Sequence, residues 1–274
     1  LKIENVPAED SSPAGGLISI WTVNRPNKLN ALNAEVNTAI KSACAWAESN
    51  DDVRVVVITG AAPETPPEGK RAKPNSFVAG ADISEFEGMS SVEIRPIFDD
   101  NVWEYVWNLS KPTIAMVDGF ALGGGLELAL ACDIIVASEN SEFGLPEPRR
   151  GLIAGGVGVH RLPRQIGLKP AMGYLLTGRH MSATRAFELG LVNEVVSAEK
   201  LDEVVEEWVK DILLCSPMAV RATKQAAMRG LDTSLSQAFS NSYEYETARA
   251  ESEDAIEGPL AFAEKRKPQW KGFH

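Results

Sequence analysis

Histidine and cysteine are scarce, with three of each in 274 residues. Cys44, Cys132 and Cys215 are odd in number and far apart. That excludes a disulfide framework and a zinc-type spacing, and leaves reduced, buried thiols of a cytoplasmic-type protein as the reading. His160, His180 and His274 are equally scattered, so no histidine metal site is expected. No apolar run approaches the ~20 residues that span a bilayer. The first residues, LKIENVPAEDSSPAGG, have no basic stretch followed by an apolar one and do not read as a signal peptide. The expected location is cytoplasmic, or an organelle matrix where a transit peptide has been removed. Positive charge is also short: 27 Lys and Arg against 38 Asp and Glu leave a net −11, the wrong sign for nonspecific nucleic-acid binding. An anionic small molecule would need local basic clusters. Lys70, Arg71 and Lys73 form one, and Lys265, Arg266 and Lys267 another, and on charge alone each fits a solvated patch as well as a binding role.

What is present is an ordinary globular composition, 44% hydrophobic and 24% charged, in a chain long enough to bury a large core. LISIWTV (17–23) and VRVVVITG (53–60) are rich in β-branched residues and read as strands. Between them, residues 34–48 carry Val36, Ile40, Ala43 and Ala47 at helical spacing. Further strands are expected at 113–119 and 133–138. This alternation predicts an α/β fold with parallel pairing and right-handed crossovers. After VNEVV (192–196) the chain turns helical, near 199–212, 216–229, 234–250 and 253–266. One segment breaks the rhythm: residues 61–76, AAPETPPEGKRAKPNS, hold four prolines and read as a loop.

Three stretches carry candidate chemistry. In GFALGGGLELALACD (119–133) three glycines precede an apolar helical run. A helix start offers unpaired N–H groups and a partial positive charge, and glycine lets a ligand oxygen reach them. Tight packing against a sheet explains the glycines equally well when the motif is taken alone. Glu127, in the first helical turn among leucines and alanines, can complement the helix dipole; in such surroundings it also has the raised pKa that suits proton transfer. FVAGADISEF (77–86) contains a small-residue turn able to present one more N–H. FGLPEPRRGLIAGGVGVHRL (143–162) fixes Glu147 between two prolines, and its glycines at 155, 156 and 158 open another helix. Taken alone, Glu147 is a plain loop acid.

Together these pieces resemble the enoyl-CoA hydratase/isomerase, or crotonase, family. The resemblance runs along most of the chain: NRPNKLNAL, AGADI, KPTIAMVDGFALGGGLELALACDI, FGLPEPRRGLIAGGVG, HRLPRQIG, LLTGRHMSATRAFELGLVNEVV and FAEKRKPQW, in the family's order. It implies a crotonase-like α/β fold, a ββα superhelix with two stacked sheets. It divides the chain into a catalytic and CoA-binding core over 1–196 and a helical region over 197–274 for oligomerisation and CoA contacts. It implies a homotrimer or a hexamer built of two trimers, no cofactor other than the CoA of the substrate, and no metal. Ala81 and Gly124 match the two backbone N–H groups of the oxyanion hole. Glu127 and Glu147 match the two acids of the hydratases, Glu127 activating water and Glu147 giving a proton to C2. Lys28, Asp82, Ile83, Phe262 and Lys265 fall at substrate- or CoA-binding positions, the last two reaching a neighbouring subunit's site. Pocket walls are expected from residues 83–89 and the helix after Ser90.

The expected reaction is reversible addition of water across the 2,3 double bond of an enoyl-CoA, because both acids are retained. Alternatives in the same family are dehydration or retro-aldol cleavage of a substituted acyl-CoA, or double-bond isomerisation. A binder that kept the fold and lost the reaction, perhaps on RNA, is the reading from another class; the acidic balance and the complete acid pair argue against it. Several features depart from the common pattern: the long 61–76 loop, Asn27 ahead of Lys28, and Arg149, Arg150 and Ala154 after Glu147. The last three resemble members acting on bulkier or polar acyl groups, such as carnitinyl-CoA dehydratase-like proteins.

Overall fold

Strand Val53–Gly60 (β3) is buried at every position but its last, as a parallel strand covered on both faces must be. It lies inside a six-stranded sheet of order β1-β2-β3-β5-β7-β10, formed by Lys2–Pro7, Leu17–Val23, β3, Thr113–Val117, Ile134–Ser138 and Glu194–Val196. All pairs are parallel except β1 with β2. A second sheet of order β4-β6-β8-β9 contains Ser76–Val78, Phe120–Leu122, Glu142–Gly144 and His180–Ser182. The structure is a computed structural model describing residues 1–8, 12–66, 69, 71–90, 92–93 and 101–272. Lys70, His274 and most of the segment after Ser90, where a helix was expected, lie outside the described residues.

The two sheets are filled in step. β3, β5 and β7 belong to the first sheet, and the strands that follow them, β4, β6 and β8, belong to the second. The helices Ala34–Ser49 (α1), Val102–Asn108 (α2) and Gly124–Ala131 (α3) come before β3, β5 and β7 in turn. This repeated strand-strand-helix turn is the superhelix that the resemblance implies. α1 starts where the Asn33 side chain accepts from the Val36 N–H at 3.0 Å, a regular N-cap, and it buries the expected stripe with Cys44 added.

The main core lies between this sheet, the second sheet and α1–α3. Helix Leu201–Leu213 covers the other face of the six-stranded sheet, placing Leu201, Val204, Val205, Val209 and Leu213 on Val55, Val57, Ile114 and Val136. Helices Pro217–Gly230, Leu235–Ser240, Glu244–Glu251 and Asp254–Ala263 follow. The single helix expected over 234–250 is two, because Asn241 and Tyr243 are extended. The Tyr243 hydroxyl donates to the Ala238 carbonyl and the Tyr245 N–H to Gln225, which holds the break.

Candidate active site

Each glycine of the 123–125 run has its own reason. Gly123 has φ +52° and ψ −125° at the helix N-cap, a conformation that side chains avoid. A Cβ on Gly125 would stand 1.9 Å from the Val78 carbonyl oxygen, so only glycine lets α3 lie against β4. A Cβ on Gly124 would press to 3.1 Å from the Trp103 ring and stand 3.7 Å from the Ala81 nitrogen, so Gly124 and Ala81 are neighbours at the sheet end.

Among the described residues neither amide has a hydrogen-bond partner. Leu32 and Ala81 form a parallel bridge in which the Leu32 N–H donates to the Gly80 carbonyl at 2.8 Å and the Asp82 N–H to the Leu32 carbonyl at 2.7 Å. Ala81's own N–H takes no part in that pairing. Gly124 opens α3, where the first N–H groups have no partner inside the helix. Two spare donors at the positive end of a helix make a seat for an oxygen carrying developing negative charge.

The two acids flank that seat. Glu127 is 2% exposed, and its Oε1 accepts from the Gly158 N–H at 2.9 Å. Its Oε2 lies 2.6 Å from where a Cβ on Gly156 would be, so the glycine turn at 156–158 wraps the carboxylate. Burial pushes its pKa up to about 8; the Gly158 N–H opposes this, and the nearby Glu147 charge adds to it. Glu147 starts a 3-10 turn, Glu147–Arg150, and its Oε1 lies 2.8 Å from where a Cβ on Gly123 would stand. Burial raises its pKa as well, against the charge of Arg150. Its Oε2 is buried with no hydrogen-bond partner among the described residues. A buried carboxylate oxygen left unpaired is costly unless a ligand or substrate water meets it.

The remaining positions are spread differently. Asp82 is engaged by protein partners: it accepts from Ser84 Oγ at 2.6 Å and from Arg25 Nη2 at 2.8 Å. Those two bonds hold its pKa at about 2. Through Arg25, which also donates to the Ala31 carbonyl, Asp82 ties down the loop that carries Lys28. Lys28 is exposed on the turn Pro26–Lys28, and Ile83 is half exposed on the turn Ile83–Phe86. Phe262, on the last helix, is 87% exposed, and Lys265 just beyond it is open to solvent. The two basic clusters are partly spoken for. Arg266 forms a two-pronged pair with Glu257, and the Lys73 ammonium donates to the Asn27 carbonyl.

Trp103 escaped the sequence reading. It sits on α2 with Val102 and Val106, all buried, in a stripe that spells nothing but core. Its indole N–H donates to the Gly124 carbonyl at 2.8 Å, and its ring reaches within 3.1 Å and 2.5 Å of the Cβ points of Gly124 and Gly156. It is thus a wedge between the oxygen seat and the turn that holds Glu127. Trp103→Phe keeps an aromatic side chain but removes the indole N–H that bonds the Gly124 carbonyl from outside the helix. The expected result is a loss of about tenfold in kcat/KM, the equivalent of one buried hydrogen bond, read by steady-state kinetics with circular dichroism as the folding control.

Among the described residues there is no group of three or more His, Cys, Asp or Glu able to hold a metal ion, and no helix is long and apolar enough to cross a membrane.

Residues 14–273 match the model of the enoyl-CoA hydratase/isomerase family. The short-chain-enoyl-CoA hydratase of Clostridium acetobutylicum is 37% identical over 254 residues, which cover 92% of this chain and 93% of that protein. Carnitinyl-CoA dehydratase of Salmonella arizonae is 37% identical over 257 residues, covering 92% and 94%. The crystal structure of an enoyl-CoA hydratase from Bacillus anthracis matches with a TM-score of 0.85 at 32% identity, covering 99% of this chain and 100% of that one.

Proposed function

We propose a mechanism for enoyl-CoA hydration from the premise that the chain belongs to the enoyl-CoA hydratase/isomerase family; it is an enzyme of the hydro-lyase type. The thioester oxygen of an enoyl-CoA sits between the N–H groups of Ala81 and Gly124. Polarisation there makes C3 electrophilic and stabilises the enolate charge as water adds. Glu127 takes a proton from the water whose oxygen bonds to C3, and Glu147 delivers one to C2. Dehydration runs through the same groups in reverse. The observation that carries this reading is the acid pair, Glu127 buried and Glu147 half-buried, beside two amides without partners among the described residues, with one buried Glu147 oxygen also unpartnered among them.

Addition of the protein to crotonyl-CoA and longer enoyl-CoAs should bleach the absorbance of the conjugated thioester and yield products heavier by one water in mass spectra. No change across the series would overturn the proposal. Hydration by these roles needs Glu127 ionised and Glu147 protonated, so the pair must hold a single proton and carry it on Glu147 when water attacks. Both pKa values lie above the ordinary 4.5, that of Glu127 at about 8. The kcat/KM profile is therefore expected to be a bell. It falls on the acid side as the second proton is taken up, at a pH above the usual carboxylate range, and on the alkaline side near pH 8 as the shared proton leaves.

A second reading, dehydration or cleavage of an acyl-CoA with a polar substituent, draws on Arg150, whose charge acts on Glu147. Product analysis with substituted 3-hydroxyacyl-CoAs separates it from simple hydration. The CoA is part of the substrate in this proposal, and no separate cofactor enters. Lys28 and Ile83 line the approach of the CoA, and Asp82 supports it through Arg25. Residues 1–196 form the catalytic core and 197–274 the assembling region. The latter region exposes Leu231, Leu235, Phe239, Ile256, Leu260 and Phe262, apolar side chains of the kind that interfaces bury. A homotrimer, or a hexamer of two trimers, would cover them and carry Phe262 and Lys265 to a neighbouring site.

A further inference from the structure

Val157 has φ +77° and ψ 0°. A β-branched residue in the left-handed region is an outlier, and Val157 is the only β-branched one with positive φ among the described residues. Such conformations persist where the surroundings over-determine them, and they gather at functional sites. The surroundings here are specific. Val157 is the N-cap of helix Gly158–Ile166, and its carbonyl accepts from the His160 and Arg161 N–H groups at 3.0 and 2.9 Å. Its half-buried side chain packs on the main core. On one side of it, the Gly158 N–H donates to Glu127 Oε1 at 2.9 Å. On the other, Gly156 lies against Glu127 Oε2 and the Trp103 ring.

We propose that Val157 is a positioning residue for Glu127. Its left-handed turn aims the Gly158 N–H and the Gly156 backbone at the carboxylate, and its side chain, anchored in the core, pins that turn. A negative φ would rotate the peptide planes on both sides and carry the Gly158 N–H away from Oε1. Glycine would take the turn without strain but would not hold it, since nothing would anchor it. The strain is thus the cost of a fixed orientation for the acid that activates water. The role rests on the hydration mechanism above; the turn itself does not.

Three variants test it: Val157→Ala, Val157→Gly and Val157→Ile. Alanine and glycine both lose the anchor and differ in how easily they adopt positive φ. The glycine variant should melt about 3 °C above the alanine variant at equal protein concentration. The reverse order would mean the turn is not left-handed and would overturn the proposal. Alanine failing to fold where glycine folds is the expected order in its extreme form. Both should lower kcat about tenfold with KM within about twofold, the mark of an interaction made in the transition state. Isoleucine, apolar and β-branched, should restore most of kcat. Losses confined to KM, or equal kcat in all three, would refute the positioning role. Hydrogen exchange at the Gly158 amide needs no turnover. It should speed up in the alanine and glycine variants and stay slow in the isoleucine one; unchanged exchange refutes the pinning. A wild-type protein that hydrates no enoyl-CoA would sink the hydration mechanism, and the role of Val157 in it, while melting order and amide exchange still decide whether the turn is left-handed and pinned.

Discussion

Glu127→Gln is expected to lose about 10³-fold in hydration rate, within the range of a removed general base, and to melt at a higher temperature than its parent. The rate loss comes from the missing base, and the stability effect from burial: the carboxyl is 2% exposed with its pKa at about 8. In the unfolded chain the same group titrates near 4.5, so its folded pKa is raised. Its favourable contribution is complete below pH 4.5 and is lost as pH rises through about 8, because ionising the buried acid then opposes folding. Glutamine has no such charge and still offers an oxygen to the Gly158 N–H. The gap in melting temperature should be close to nil at pH 4.5 and reach several degrees at pH 8.5, a few kcal/mol by the size of the shift. Thermal melts at both pH values check this. A gap that does not widen with pH, or a glutamine variant less stable at pH 8.5, would show that burial does not raise the pKa of this acid.

Ala81→Pro is the second large effect. Proline lacks the N–H that the fold leaves spare, while the bridge to Leu32 uses the Gly80 carbonyl and the Asp82 N–H. The sheet end can therefore survive the change. Loss of one donor to the oxyanion typically lowers kcat by about 10²–10³-fold. Ala81→Gly, which keeps the donor, is the control and should stay within about fivefold of the parent. Stopped assays on crotonyl-CoA with both variants, after their folding is compared by circular dichroism, decide the matter. A proline variant as active as the glycine one would remove Ala81 from the mechanism.

The large elements were legible because their signals are long and unmixed. β3 is a run of β-branched residues that could only be a covered strand, and the α1 stripe repeats over four turns. The second sheet was not, because β4, β6, β8 and β9 are three residues each, too short for alternation to register. β1 was missed too; its residues are nearly all exposed, so no apolar period marks it. In the site, Glu127 and the glycines were legible as contiguous motifs. The pairing of Asp82 with Arg25 is not legible, because the two are 57 positions apart, a distance along the chain that no local pattern reports. Trp103 looks like core because it is core, and its extra duty lies in where its N–H points. Val157 is harder still: a valine is ordinary in sequence, and only a backbone angle makes it unusual.

The proposed seat for the oxygen is main chain alone, Ala81 on one side and Gly124 on the other, with the close fit of Gly125 to Val78 locking the two segments together. Replacing Glu127 or Glu147 removes none of these main-chain groups. A descendant of this chain could therefore trade either acid for another group and inherit, unaltered, a ready cradle for a thioester enolate. New chemistries on CoA esters would then begin from a scaffold whose hardest requirement had already been met.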